Sequence, residues 1–293
     1  MLNLTPDLFA IQFLNGLASG VLLFLLAAGL SIIFGMMDVM NLAHGSFYML
    51  GAYIGYSTFR ITLNFWLALF IAPLVVAVVG LAGERLLLRP LKGRGHLDQV
   101  LLTFGLALVM ADFVRAVPGW GGDVHALPPP PELASSIPFG SGQYPLYRLF
   151  SIGVGLALAL LLGLVISRTQ VGAIIRAGVA DAEMVGGLGI NISLVFSIVF
   201  AVGVGLAAFG GVMTAPVVSL EPGMDTRTLI QALIVVVVGG LGTLRGAFWG
   251  SLLIGEADTF GRALLPDFAL FSIYVIMAAV LLLRPSGLFG RKT

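Results

Sequence analysis

Apolar runs of about 20 residues recur along the whole chain, each about as long as the helix that crosses the hydrocarbon of a bilayer. A soluble core would place polar faces between such runs. Charged residues are only 10% of the chain, against about 25% in soluble domains, so the chain reads as an integral membrane protein throughout. Length and breaks place nine spans, at Phe9 to Phe34, His44 to Phe59, Phe65 to Gly83, Val100 to Val117, Leu149 to Ser167, Leu194 to Ala215, Leu229 to Gly239, Ala247 to Leu265 and Phe268 to Leu283. Some are short. The expected fold is therefore one all-α domain over residues 1–293, a polytopic bundle of about eight or nine transmembrane helices with broken or re-entrant helices among them. The first residues, MLNLTPDLFA, carry no Lys or Arg and do not resemble a cleavable signal peptide.

Positive charge gives the orientation, because short cytoplasmic loops retain Lys and Arg. Arg85, Arg89, Lys92, Arg94, Arg168, Arg176, Arg245, Arg284, Arg291 and Lys292 fall on one side of the nine spans. Arg60, Arg115, Arg148, Arg227 and Arg262 fall on or near the other. The carboxyl terminus is accordingly expected in the cytoplasm, and a re-entrant segment, for which Met36 to Ser46 is the best candidate, would change the side of the amino terminus. The outside segment, residues 118–148, holds PPPP at Pro128 to Pro131 with Pro138 and Pro145, and proline's missing donor predicts an irregular or extended loop. It is read as a solvated connector or a docking surface for an external partner.

The inside segment, residues 168–193, is an island of charge and helix formers between two apolar runs. Gly172 to Glu183 is helix-compatible and offers Arg176, Asp181 and Glu183 for polar docking, with Gly186, Gly187 and Gly189 stopping the helix. A rigid cytoplasmic helix of this kind can fit a cleft in a soluble motor; the alternative, a helix lying on the membrane surface, would want a broader apolar face and more basic charge.

Glycine is the second signal, at 39 residues. Small residues four apart (Gly16 and Gly20, Gly51 and Gly55, Gly203 with Ala207 and Gly211, Gly246 and Gly250, Ser251 and Gly255) predict close helix crossings. Two segments break the membrane pattern. Phe34 to Gly55 places Asp38, Asn41, His44 and Ser46 between apolar runs, and Val237 to Glu256 places Gly239, Gly240, Gly242 and Arg245 likewise. Their shared outline suggests a distant internal repeat. Irregular backbone at membrane depth is tolerated where protein or a water-filled cavity satisfies it, so both breaks are candidate pathway linings; the bland reading of the first is a turn in which Asn41 and Ser46 cap the next helix. Asp112 and Arg115, three apart, are expected to pair. Glu256 and Asp258 lie in or near a span, where an ionised group faces a cavity or a partner.

Several chemistries are excluded. The chain has no cysteine, no zinc-protease or nucleophile-elbow motif, and no phosphate loop of the GxxxxGK[ST] form. His44, His96 and His125 do not converge as a metal site. No block of like charge exists to bind nucleic acid. Any ATP that drives this chain must be hydrolysed by another polypeptide.

Five stretches, GLSIIFGMMDVMNLAHGSFYMLGAY, GERLLLRPLKGRG, TQVGAIIRAGVADAEMVGGLGIN, VVVVGGLGTLRGAFWGSLLIGE and LLRPSGLFGR, resemble the permeases of ATP-binding-cassette importers for branched-chain amino acids, specifically the subunit often paired with a second, longer permease. The family's island reads GRAxRAxxxDxxxAxxLGI. Gly172, Arg176, Ala177, Asp181, Leu188, Gly189 and Ile190 match it, while Ala173 stands for an expected Arg and Val185 for an expected Ala. The resemblance implies that Gly172, Arg176, Ala177, Asp181 and Gly189 form the ATPase-coupling element, to which the polar Glu183 of the same helix is added. It further implies two cytoplasmic ATPases, a second permease and an extracytoplasmic solute-binding protein as partners, with no cofactor on this chain and a place in a bacterial inner membrane. The substrate implied is leucine, isoleucine, valine or a related small solute. A reading from another class is an ion-coupled carrier or channel with Glu256 or Asp258 as the responsive group.

Overall fold

The computed structural model describes residues 5–37, 40–91, 94–140 and 142–290. Asp38, Lys92, Arg291 and Lys292, used above, lie outside the described residues.

Helices stand where the nine spans are read. They are α1 (Pro6–Met37), α2 (His44–Thr62), α3 (Phe65–Gly83), α4 (His96–Ala116), α5 (Leu146–Arg168), then, after the island's α6 (Gln170–Ala180) and α7 (Ala182–Gly187), α8 (Ile192–Thr214), α9 (Met224–Gly239), α10 (Leu244–Leu264) and α11 (Ala269–Leu283). Five are individually long and apolar enough to cross a bilayer: α1, α3 with its continuation to Leu91, α4, α5 and α8. α9 and α10 add a sixth if taken as one broken span, bent by 117° at the break between them. The reason is length and polarity. α11, 15 residues long, reaches about 22 Å, short of a hydrocarbon core of about 30 Å. α2 is the more polar helix, with His44, Ser46 and several tyrosines on it, and its first two-thirds is almost wholly buried.

α1 runs through the middle. In its most apolar stretch 72% of residues are buried, against 17% in α4 and α5, which are peripheral. α1 packs along α8 and α10, α2 along α8 and α9, and α3 along α8. The small residues sit at these crossings, as their spacing predicts. A Cβ on Gly20 would lie 2.9 Å from the Ser251 carbonyl oxygen, and one on Gly255 2.5 Å from the Gly20 backbone. A Cβ on Gly51 would stand 2.4 Å from Ala208 Cα. Without hydrophobic driving force between helices, such approach supplies the packing that lipid cannot.

The segment after α4 is extended in part, as its prolines predict. Its last part forms an antiparallel hairpin, β1 (Ser136–Phe139) and β2 (Gly142–Pro145). Upstream, Trp120 donates from its indole to Ser57 Oγ at 2.7 Å, and the His125 ring stacks on Tyr56. The backbone of His125 then pairs with Leu220 in the α8–α9 linker, in both directions, at 2.9 and 2.8 Å. The loop is thus a fitted cover over the ends of α2 and α8. Proline marks where helix stops but does not say which side chains an extended loop will find.

Candidate functional site

The first break lies between α1 and α2. Among its described residues it meets α4 at Thr103, whose Oγ1 accepts the Leu42 N–H at 3.2 Å and whose hydroxyl lies 3.1 Å from the Val100 carbonyl and 3.4 Å from that of Met40. Asn41, 1% exposed, turns its Oδ1 onto the N–H of Ala43 at 3.1 Å, which makes a local turn. Ser46 is not a cap. It donates to Asp225 Oδ2 at 3.0 Å, across to the first turn of α9. His44, fully buried, places Nε2 3.1 Å from the Leu26 carbonyl of α1. A carbonyl oxygen only accepts, so the ring carries its proton on Nε2.

The second break, between α9 and α10, turns on Gly240 and Gly242, whose φ of +107° and +72° lie in the left-handed region that favours glycine. Gly239 and Gly246 close it from either side: a Cβ on each would come within 2.1 and 2.3 Å of the other's carbonyl oxygen. A helix end leaves carbonyls without partners. Here the last residues return to satisfy them, Leu288 donating to the Val238 oxygen and Phe289 to the Gly239 oxygen, both at 2.9 Å.

These two breaks meet. A Cβ on Gly35, near the end of α1, would lie 2.7 Å from the Gly242 oxygen, and one on Gly242 2.8 Å from Gly35 Cα. Of the residues singled out from sequence, Gly242 is therefore brought to the first break, and Gly239 and Gly240 to the returning tail. Ser46 is brought to α9, His44 to α1, and Asn41 to its own turn beside α4. Sequence reading missed Thr103, Asp225, Leu288 and Phe289. A lone Thr in an apolar span and an Asp in the first turn of a helix were the available signals.

A cavity of about 270 Å³ opens on the other half of α1, between Ser19, Leu22, Leu23 and Leu26, the linker 215–223, and the facing sides of α9 and α10. Its lining reaches Tyr48, one helical turn from His44, and Leu26, whose carbonyl takes the His44 contact. From Leu26 to Gly35 is about 13 Å of helix. That stretch is sealed: Leu30 is 2% exposed and Ile33 fully buried, and a Cβ on Gly29 would come within 2.2 Å of the Gly203 oxygen of α8. Cavity, seal and break follow one another along a single helix.

The island sits beneath the break. The single helix expected from Gly172 to Glu183 is instead two, because Asp181 leaves helical backbone and accepts the Met184 N–H at 2.9 Å as the cap of α7. Gly186 and Gly187 lie inside α7, and the left-handed Gly189, φ +81°, ends it. Ile175, Ala182 and Ile192 pack on Met36, Phe196 and Val199, so the island is seated on the last turn of α1. Below it, Glu84, buried in a π-helical extension of α3, accepts the Ser197 hydroxyl at 2.5 Å. Arg176, Ala177 and Glu183 face outward with Val179, Met184 and Leu188, a mixed polar and apolar surface. Gly172 is buried, and a Cβ there would lie 2.2 Å from the Ile166 oxygen. It shapes the α5–α6 elbow.

Of the other expectations about polar residues, those for Asp112 with Arg115 and for Asp258 are met, and that for Glu256 is not. Arg115 and Asp112 pair at 3.0 Å. Asp258 pairs with Arg262 at 3.1 Å. Glu256 lies against Gly16 of α1, neither of its oxygens hydrogen-bonded among the described residues.

Residues 12–283 match the family described as the permease component of the branched-chain amino acid transport system. The chain belongs to that family. It is 30% identical, over 96% of its length and 95% of the relative's, to the high-affinity branched-chain amino acid transport system permease protein BraD of Pseudomonas aeruginosa. It is 27% identical to the corresponding LivH protein of Escherichia coli, over 97% and 96% of the two chains. A probable branched-chain amino acid transport permease protein LivH of Methanocaldococcus jannaschii is 24% identical over 92% and 89%. The two broken segments, the seated island and the central α1 are thus the parts of a permease component, a multi-pass membrane subunit of a transport system.

Proposed function

We propose that this chain is one of two permease subunits in an ATP-binding-cassette importer for branched-chain or related small amino acids. Two separate ATPases grip the island through Arg176, Ala177 and Glu183 from the cytoplasmic side, where the carboxyl terminus also lies. A second, longer permease completes the pathway, and an extracytoplasmic binding protein delivers the solute to the loop side. The membrane is a bacterial inner membrane, and the chain binds no cofactor of its own, ATP being used by the partners.

The observation that carries the reading is mechanical. The island packs on Met36, the adjacent Gly35 lies against Gly242, and that contact joins the end of α1 to the second break. A displacement of α6 and α7 by a closing motor is transmitted through packed side chains to the place where two spans are interrupted, and cores of this density shift between discrete arrangements rather than deform. Gly172 and Asp181 support the island's shape rather than its outer face. Asp258 pairs with Arg262, and Glu256 has no hydrogen-bond partner among the described residues.

Arg176→Glu tests the proposal. The variant inserts into the membrane as the parent does, but the ATPases co-purify at a small fraction of the parent level and ATP-dependent uptake of leucine falls at least tenfold. Unchanged co-purification and uptake would overturn the coupling role. Labelling of an Arg176→Cys variant from the outside of intact cells would overturn the orientation.

A further inference from the structure

We infer that the cavity at the loop-side half of α1 is a site for the zwitterionic head of an α-amino acid, holding the ammonium and the carboxylate while an aliphatic side chain lies along α1. This rests on the permease reading and adds the place and the chemistry of recognition.

The lining carries two acids and two guanidiniums, each already in a pair: Arg227 with Glu221 at 3.2 Å and Arg262 with Asp258 at 3.1 Å. The formal charge of these four is zero. A ligand bearing one net charge would leave one charge of the four without an opposite partner. A ligand bearing both signs leaves none, because each pair can open and close again on the opposite end of the ligand. Guanidinium takes a carboxylate through two parallel hydrogen bonds, and carboxylates take an ammonium. The arrangement suits such an exchange, since the side chains of Arg227 and Arg262 are 74% and 63% exposed while those of Glu221 and Asp258 are 42% and 24% exposed. The acids are the more fixed and the arginines the freer to change partner. Thr228 and Gln231 add neutral donors and acceptors on α9, whereas Leu22, Leu23 and Ile254 form an apolar wall. Polar groups on one side and hydrocarbon on the other divide the cavity as an aliphatic amino acid is divided. The cavity reaches Leu26 and Tyr48, next to the sealed stretch of α1 at Gly29, Leu30 and Ile33, so a molecule held there waits at the closed part of the route.

The chain lacks cysteine, so a single one introduced at the cavity rim reports on occupancy. In the assembled importer, Ser219→Cys is modified with a charged methanethiosulfonate reagent, with L-leucine as probe, and leucine uptake is measured on the same preparation. Leucine slows modification at least threefold. 3-Methylbutylamine, which lacks the carboxylate, and 4-methylpentanoate, which lacks the ammonium, do not, and adding Arg227→Gln and Arg262→Gln abolishes the protection by leucine. An importer that accumulates leucine but shows no protection overturns the site and leaves the permease reading intact. Equal protection by the amine or the acid overturns the zwitterion chemistry. Failure of the parent importer to accumulate amino acids with ATP and binding protein overturns both readings together.

Discussion

Ser46 and Asp225 are 179 positions apart and form a buried hydrogen bond at 3.0 Å that joins α2 to α9. Asp225 is 5% exposed, and its other oxygen, Oδ1, has no hydrogen-bond partner among the described residues. Ser46→Ala therefore strips the carboxyl of its remaining side-chain donor, and a buried acceptor left unpaired costs about 1–3 kcal/mol. The purified protein should melt at a lower temperature in detergent, and Asp225→Leu in the same background should recover part of the loss, because no polar group is then left unpaired. An unchanged melting temperature for Ser46→Ala would show that Asp225 is held by other contacts. Such residues hide in a sequence. Ser46 reads equally well as a cap of the helix that begins at His44, and only the position of α9 makes it a bridge.

Among the elements, the island shows how local chemistry sets a mechanical part. Thr169 caps α6, accepting the Gly172 N–H at 3.2 Å, and Asp181 caps α7. Between them the chain bends, so that α6 lies on α1 while α7 leads back into α8. Asp181→Ala removes a cap worth about 1 kcal/mol. The expected result is faster amide exchange confined to residues 182–187, measured by hydrogen–deuterium exchange, with weaker coupling of ATP hydrolysis to uptake and little change in global melting. Uniformly faster exchange over α8 as well would mean that α7 is part of the core rather than an independent lever. The π-helical end of α3 belongs to the same region. By carrying Glu84 under Ser197 it fixes the start of α8 to the floor of the island.

For the molecule as a whole, α1 is the common member: it lines the cavity at one end, carries the seal in the middle and touches both the second break and the island at the other. The returning tail locks this arrangement. Gly287 has φ +78°, and a Cβ there would lie 2.7 Å from the Gly240 nitrogen and the Val237 oxygen. Gly287→Val should lift the tail and free the carbonyls of Val238 and Gly239, unpaired groups that are expensive at membrane depth. The amides of Leu288 and Phe289 should then exchange faster, the melting temperature should fall, and passive leak of solute through reconstituted importer should rise. A tail that stays protected in this variant would show that Gly240, not the tail, holds the break closed.

The apolar runs alone determine that this chain is a helical membrane protein, since backbone in lipid has few ways to satisfy itself, and each run is found as a helix. Small residues four apart likewise determine which faces approach, and the polar island between two spans determines where a peripheral helix forms. These are local properties, carried by period and composition. Partners are not. The meeting of Gly35 with Gly242, the use of Thr103 to complete a break, the tail on Gly239 and the hairpin inside a proline-rich loop each depend on where distant helices settle. Bilayer crossing, too, depends on more than apolar length: α2 is buried by its neighbours, and α9 and α10 share a bend of 117°. The cavity is decided last of all. Its charges come from the α8–α9 linker, α9 and the far end of α10, and they line one cavity only because those elements pack together with α1.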